Sequence, residues 1–176
     1  MLAIFAYTSG YESWRDSSNW MTSRLHEEWF GVELHASTNR IITLNLGNNQ
    51  LAGTIPTELG ELTDLTRLHL TINSLTGTIP TELGELTALD FLNLASNDLF
   101  GPIPTELGEL TDLTGLDLTM NTLTGPIPSQ LGKLIALNTF RLQEDNNLSA
   151  DLPPFEVCEL VQSLGASNTD ITTCLE

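Results

Sequence analysis

Basic residues are scarce in this sequence. Only six of its 176 residues are Lys or Arg, against 23 Asp or Glu, so the formal net charge is −17 at pH 7. Affinity for phosphate backbones and for anionic lipid depends largely on clustered Lys and Arg side chains. The composition therefore argues against nucleic acid as a partner and against electrostatic attachment to a membrane.

Cysteines and long apolar runs are also few. The two cysteines cannot hold a small disulfide-based scaffold together. No uncharged apolar run approaches the roughly 18 residues that a membrane-spanning helix requires, so we expect no direct membrane insertion. The opening segment MLAIFAYTSGY lacks the basic start and the small-residue cleavage site of a secretory signal, and we do not expect it to act as one.

What the sequence does contain is leucine at a fixed spacing of 24 residues. Four copies follow the template LxxLxLxxNxLxGxIPxxLGxL, and a fifth is irregular. The copies begin near Ile41, Leu65, Leu89, Leu113 and Leu137. We therefore divide the chain into an N-terminal cap (1–40), the repeats (41–160) and a C-terminal cap (158–176), all within a single domain.

Each part of the template has a physical role. The alternation Leu68-x-Leu70 is the period-two signature of a short strand, and strands that recur once per coil must stack in parallel. The asparagine that follows, Asn73 in the second copy, can satisfy backbone groups at the inward bend. Gly77 and Pro80 supply a turn and end the ladder bonding. The TELGEL run offers about one helical turn.

At these residues the sequence resembles the plant-type leucine-rich repeat family, whose consensus is LxxLxxLxLxxNxLxGxIPxxLGxL. Relatives include ectodomains of plant receptor-like kinases, polygalacturonase-inhibiting proteins and algal repeat proteins. The resemblance implies an α/β solenoid: a curved, right-handed superhelix with a parallel β-sheet on its concave side and a second short strand around the Gly-x-Ile-Pro segment. It also implies ligand recognition without catalysis, in an extracellular, cell-surface or secretory-lumen location.

The ends of such an array should differ from its interior, because an open end exposes core leucines. All three tryptophans, Trp14, Trp20 and Trp29, lie in the first 40 residues, where we expect a lid. The WFGV stretch at 29–32 resembles the family's amino cap. Glu27 and Leu34 occupy its two cysteine positions, so that disulfide is absent and an intracellular location stays open.

The two cysteines, Cys158 and Cys174, enclose 15 residues near the C-terminus. A bridge closing that loop would stabilise the fold by about 3 kcal/mol. Resemblance to the family's cysteine-paired carboxyl cap favours a disulfide between them, and two reduced, buried thiols are the alternative. The triplet Asn147-Leu148-Ser149 is a glycosylation sequon, of a kind that also arises by chance.

Catalytic signatures are absent from the sequence. The His26-Glu27-Glu28 segment is similar to a zinc-protease helix, but the second histidine of that motif would stand at position 30, which is Phe30. No nucleophile elbow, phosphate loop or dinucleotide fingerprint occurs. We therefore expect no enzyme activity, no metal centre and no cofactor.

Two columns of glutamates recur with the period of the repeat on the expected convex side. They are Glu58, Glu82 and Glu106, and Glu61, Glu85 and Glu109. Stacked like charges repel, so the columns are consistent either with cation binding or with a solvated ridge copied by duplication. Thr57, Thr81 and Thr105 stack beside them, which leaves ice binding as a minor hypothesis, since duplication alone also produces a ladder.

The outward positions of the predicted strands are where the copies differ. One column reads Thr43, Arg67, Phe91, Gly115 and Thr139, and the next reads Asn45, His69, Asn93, Asp117 and Arg141. Aromatic, Met and Arg side chains on a rigid sheet are typical of protein-recognition hot spots. With two further columns included, the predicted partner-binding residues are Arg67, His69, Ile72, Phe91, Asn93, Asp117, Met120 and Arg141.

The predicted function is non-catalytic recognition of a protein or peptide on the concave sheet. A rigid sheet keeps its exposed side chains in place, so little conformational entropy is lost on binding. Two alternatives stay open. The chain could be a structural or accessory subunit of a larger assembly, including a fragment of a receptor ectodomain, or an enzyme inhibitor of the polygalacturonase-inhibitor type.

Overall fold

The computed structural model describes residues 11–18, 29–149, 154–164 and 170–171. The strands are β1 (Val32–Leu34), β2 (Ile41–Asn45), β3 (Ala52–Thr54), β4 (Arg67–His69), β5 (Ser74–Gly77), β6 (Phe91–Asn93), β7 (Asp98–Gly101), β8 (Gly115–Asp117), β9 (Thr122–Gly125), β10 (Thr139–Arg141) and β11 (Asn147–Leu148). They form a main sheet in the order β1-β2-β4-β6-β8-β10 and a second sheet in the order β11-β9-β7-β5-β3. One strand per coil in each sheet is the arrangement of the predicted α/β solenoid.

The main sheet is built from the Leu-x-Leu segment of each repeat. Strands from successive repeats pair in parallel and in register, so that Leu44 lies beside Leu68, and Leu92 beside Leu116. These leucines, and Phe140 in the fifth copy, are completely buried. Each repeat therefore contributes side chains to one continuous core, as the period-two alternation predicted.

The strands of the second sheet end earlier in the repeat than predicted. We expect them around Gly-x-Ile-Pro, whereas β5, β7 and β9 end at the glycine itself and β3 ends one residue after Gly53. Gly77 has a φ of +85° and Gly101 of +81°, a left-handed conformation that turns the chain out of the strand at little energetic cost. Pro80, three residues beyond Gly77, has no N–H with which to continue the ladder.

A 3-10 helix follows each Ile-Pro pair in the four regular repeats. These helices span Thr57–Glu61, Thr81–Glu85, Thr105–Glu109 and Ser129–Lys133. The predicted helical turn is thus of the tighter kind, which is common for such short segments. A Cβ at Gly84 would lie 2.5 Å from the backbone carbonyl oxygen of Glu106, so adjacent coils approach too closely there for a side chain.

The asparagines join neighbouring repeats through a ladder of side-chain hydrogen bonds. The Nδ2 of Asn97 donates to the carbonyl oxygens of Leu70, Leu94 and Ala95 at 3.0–3.3 Å. Its Oδ1 accepts the Leu75 N–H at 3.0 Å. Corresponding asparagines in the flanking repeats make the same pattern. The predicted role of these amides, satisfying buried backbone groups, is confirmed.

The irregular fifth repeat keeps the ladder by moving it one residue along the chain. Asn146 donates to the carbonyl oxygens of Leu118 and Leu142 and accepts the Leu123 N–H. Asp145, directly before Asn146, has a left-handed φ of 53°, as Met120 has directly before Asn121, so the extra residue lies between Leu142 and Asp145. As a result β11 still pairs in parallel with β9.

At the N-terminal end, aromatic side chains and an added strand cover the core. Trp14 and Trp29 are buried, and β1 extends the main sheet antiparallel to β2. Asp16 joins the asparagine ladder, because its N–H donates to Asn49 Oδ1 at 2.6 Å and its carbonyl oxygen accepts from Asn49 Nδ2 at 2.9 Å. Trp20, the third tryptophan of the predicted lid, lies outside the described residues.

At the C-terminal end, helix α1 (Phe155–Leu164) packs against the core through Val157 and Val161. The carboxylate of Asp170 accepts the backbone N–H groups of residues 142, 143 and 144 at 2.5–2.8 Å. In the preceding repeat two of the equivalent donors, the N–H groups of Leu118 and Met120, bond to carbonyl oxygens of the next coil, whereas the third, the Thr119 N–H, bonds to Asp117. Asp170 therefore satisfies donors that would otherwise remain unpaired at the end of the main sheet.

Cys158 lies in α1, packs against the core and is disulfide-bonded. The partner predicted for it, Cys174, lies outside the described residues. The pairing of these two cysteines therefore stays a prediction.

Candidate functional site

The predicted site faces solvent along the main sheet, but not all of its columns lie on strands. The strands β4, β6, β8 and β10 are three residues long, so only the first two predicted columns belong to them. Ile72 and Met120 lie beyond the strand ends, in left-handed conformations with φ of 56° and 55°. They form an exposed margin of the main sheet and are not part of its hydrogen-bonded strands.

Arg67 projects from β4 into solvent. Its Nε lies 3.6 Å from Asp90 Oδ1, and 60% of its side chain is exposed. An ion pair with this exposure contributes little to stability. The guanidinium can therefore exchange Asp90 for the carboxylate of a partner at small energetic cost.

Phe91 stands beside Arg67 in the register of β4 and β6. Its ring lies over Gly115 of the next strand, where an added Cβ would approach the ring carbons to 2.6 Å. The ring also stacks on His69, with centroids 4.7 Å apart and planes inclined by 16°. The sequence predicted an exposed ring, whereas Phe91 is half-buried. Gly115 has no side chain, so the Phe91 ring packs against the surface of the sheet at that position.

The surroundings of His69 change its acid–base behaviour. Partial burial lowers the pKa of its imidazole below the ordinary value of 6.5, the nearby Arg67 charge lowers it further, and Asp90 opposes both. His69 is therefore neutral at neutral pH. A neutral imidazole offers one hydrogen-bond donor and one acceptor to a partner.

We expect an NMR titration to place the pKa of His69 below 6.5, and Phe91→Ala to move it back toward that value, because the substitution rehydrates the imidazole. The exposed His35 provides a reference signal in the same spectra. Since the folded state binds this proton more weakly than the unfolded state, the contribution of His69 to stability should fall as the pH drops from 6.5 through the folded pKa. An unchanged His69 pKa in Phe91→Ala would show that the ring does not desolvate the imidazole.

Two of the predicted contact residues make local hydrogen bonds instead of pointing freely outward. Asn93 Oδ1 accepts the Ala95 N–H at 3.0 Å. Asp117 Oδ1 accepts the Thr119 N–H at 3.1 Å and the Thr119 hydroxyl at 2.6 Å. Each side chain thus caps the turn that ends its strand, a role that its place in the column did not indicate.

The margin of the sheet adds apolar surface beside these polar groups. Ile72 is 56% exposed and Met120 is 48% exposed. The Ser96 hydroxyl, at the equivalent position in the repeat between them, lies 3.3 Å from Met120 Sδ. The three residues form a continuous strip along one side of the site. Arg141 is exposed on β10, at the other end of the sheet from β1.

Sequence reasoning missed the N-terminal end of this surface. β1 places Glu33 opposite Thr43 on the main sheet, and Phe30 just before β1 is partly exposed. These residues line a cavity of about 410 Å³. The sequence assigns 1–40 to a cap, and the alternation within Val32–Leu34 is the one signal that the segment also extends the sheet.

The glutamate columns present a different surface. The hydroxyls of Thr57, Thr81 and Thr105 each donate to the carboxylate of the glutamate that follows, at 3.4, 3.2 and 3.1 Å. Glu109 ends the second column in a salt bridge to Lys133 Nζ at 2.7 Å. Within the described residues, no group of three or more His, Cys, Asp or Glu side chains is placed to hold a metal ion. The hydroxyls of these threonines therefore contact charged carboxylates, and they do not form an uncharged flat surface.

The repeat, the ladder and the two sheets together define the class of protein. The sequence pattern described as Leucine Rich Repeat matches residues 33–62, 64–86, 88–110 and 112–134, which together exceed half of the chain. The chain therefore belongs to the leucine-rich repeat family, as predicted. Comparison with curated protein sequences finds no match. Among the described residues, no helix has both the length and the apolar character needed to cross a membrane.

Three similar solved structures are of plant proteins, which agrees with the predicted plant type of the repeat. A chain of the BIR3–SERK2 complex from Arabidopsis thaliana is 34% identical, with a TM-score of 0.74 over 89% of this chain and 87% of that chain. The BIR2 ectodomain from the same plant is 34% identical, with a TM-score of 0.72 over 86% of this chain and 83% of that chain. A plant ice-binding protein is 36% identical, with a TM-score of 0.74 over 84% of this chain and 48% of that chain.

Proposed function

We propose that the chain is a non-catalytic protein-interaction module that binds a protein or peptide on the solvent-facing side of the main sheet. The observation that carries this proposal is the cluster of Arg67, His69 and Phe91. It holds a cation, a neutral imidazole and a half-buried aromatic ring side by side on two adjacent strands. Arg and aromatic side chains in such well-packed positions contribute most of the affinity at many protein interfaces.

Rigidity of the cluster supports this role. Phe91 is held between His69 and Gly115, and the strands beneath it are hydrogen-bonded to both neighbours. A partner would therefore order few additional side chains on binding, and less conformational entropy would be lost. The exposed Ile72 and Met120 add apolar contact area next to the cluster.

The related structures support the kind of partner and the location. One is a chain in a complex between two proteins, and another is an ectodomain. By this likeness the proposed partner is a protein or peptide and the proposed location is extracellular.

The two alternatives predict different contacts. A subunit of a larger assembly would co-purify in fixed stoichiometry and use an end of the array, whereas an inhibitor would use the main sheet against an enzyme.

Phe91→Ala should weaken partner capture by at least ten-fold, because loss of a central aromatic commonly removes about 2 kcal/mol of binding free energy. Phe100→Ala is the matched control, since Phe100 is 51% exposed but lies on the second sheet. The measurement is the dissociation constant of the intact chain for a partner identified by affinity purification. Equal losses for the two variants would contradict a site on the main sheet.

Photocrosslinking locates the contact independently of affinity. A photoreactive amino acid in place of Ile72 should crosslink to the partner, because that position lies on the exposed margin of the main sheet. The same residue in place of Ile135, which is 84% exposed just after the last 3-10 helix, should not. Crosslinking from position 135 alone would place the partner away from the main sheet.

A further inference from the structure

The chain contains a single Asn-x-Ser/Thr triplet, Asn147-Leu148-Ser149. This is the acceptor sequence for N-linked oligosaccharide in the secretory pathway, provided that the asparagine is accessible. We propose that Asn147 is glycosylated and that the oligosaccharide covers the C-terminal edge of the second sheet. The proposal rests on the extracellular location proposed above, since only chains that enter the secretory lumen meet the transferase.

The two adjacent asparagines have opposite environments. The amide of Asn146 is taken up by the ladder, where it donates to Leu118 and Leu142 and accepts from Leu123. Asn147 is exposed on β11. The residue after the ladder asparagine is exposed in the interior repeats too, as Ser74 is after Asn73 and Asp98 is after Asn97. The one-residue shift of the fifth repeat thus places the acceptor asparagine outward while the ladder asparagine remains inward.

The position of β11 gives the modification a structural consequence. Among the described strands, β11 is the last of the second sheet and pairs with β9 alone. An open strand edge is a template for pairing with another chain. A bulky, hydrated oligosaccharide at Asn147 would obstruct that edge. It would stand on the second sheet and leave Arg67, His69 and Phe91 on the main sheet accessible.

The chemistry is an ordinary group transfer. The Nδ2 of Asn147 attacks the anomeric carbon of a lipid-diphosphate-linked oligosaccharide. A C–N bond forms, the bond between that carbon and the diphosphate oxygen breaks, the lipid diphosphate leaves, and the amide loses one proton. No oxidant or reductant is required.

The test is expression of the full chain behind a secretion signal in human cells, with intact mass measured in whole-cell extract and medium before and after peptide N-glycosidase treatment. We expect the wild type to carry the mass of one oligosaccharide, which the enzyme removes, and peptide mapping to place it at residue 147. Asn147→Gln and Ser149→Ala should each abolish the added mass, whereas Ser149→Thr should keep it. Asn138→Gln, at an exposed asparagine outside any sequon, should also keep it.

A wild-type chain that enters the lumen and carries no oligosaccharide, in cells that glycosylate a co-expressed reporter, would overturn the proposal. Recovery of the Ser149→Thr chain without added mass would do the same. Partner capture is measured separately, on the enzyme-treated wild type and on Phe91→Ala. Whether Phe91→Ala loses capture or keeps it, the result bears on the proposed function and not on glycosylation of Asn147.

Discussion

Replacing Asn97 with alanine should lower the free energy of unfolding by about 3 kcal/mol, because the substitution removes four hydrogen bonds from a buried site. The losses are unequal. The Leu70 and Leu94 carbonyl oxygens also accept from the ladder asparagines of the flanking repeats, so they keep a partner. The buried Leu75 N–H loses its acceptor, and an orphaned backbone donor is the larger part of the expected cost.

Asn93→Ala is the matched control for this experiment. Asn93 is four residues earlier, half-buried on the main sheet, and its side chain accepts one local hydrogen bond from the Ala95 N–H. Its replacement should cost less than about 1 kcal/mol. Equilibrium unfolding in urea, followed by circular dichroism, compares the two variants with the wild type. Similar midpoints for both variants would contradict the view that the ladder stabilises the contact between repeats.

The second large effect is expected for Gly84→Ala, which should destabilise the fold by about 3 kcal/mol through overpacking. The new methyl group would lie 2.5 Å from the carbonyl oxygen of Glu106 and 2.8 Å from its carbonyl carbon. Both atoms belong to the backbone of the next coil, so no side-chain rotation can relieve the contact. Adjacent coils would have to separate at this point, which would also weaken packing of the buried Leu83 and Leu107.

Gly115→Ala provides the contrasting case. Its Cβ would also be crowded, at 2.6 Å, but against the ring of Phe91 rather than against backbone. The ring can rotate away from its place on the sheet. We therefore expect a change in unfolding free energy below about 1 kcal/mol together with weakened partner capture, since the Phe91–His69 stack is displaced. If Gly115→Ala lowers the free energy of unfolding as much as Gly84→Ala does, the Phe91 ring does not move away from the added methyl group.

The 24-residue period was sufficient to predict the repeated elements, because identical segments must meet identical neighbours when they stack. It predicted the Leu68 and Leu92 positions in the core, the register of the main sheet and the role of Asn97. The WFGV stretch did not reveal that β1 would pair antiparallel with β2. That pairing joins β2 to a strand that lies outside the repeats, so the 24-residue period gives no information about it.

The details of the candidate site were less predictable because they depend on pairs of positions in different repeats. Phe91 is half-buried because the next copy has Gly115 at the equivalent place. Ile72 and Met120 occupy left-handed turns, although neither residue favours that conformation. Their torsions are imposed by the parallel stacking of neighbouring coils, so their side chains lie on the margin and not on the strands that a single-copy interpretation assigned.

Asp170 has a further consequence for how an array of this kind can change in length. Its carboxylate already accepts three amide groups at the end of the main sheet, and two of the equivalent groups in the preceding repeat, those of Leu118 and Met120, bond to the next coil. A unit appended after the fifth would compete with that carboxylate and would leave a charged group without donors. Growth of the array by gene duplication is therefore compatible with folding when a unit is inserted ahead of the segment that carries Asp170, and not when a unit is added between that segment and the fifth repeat.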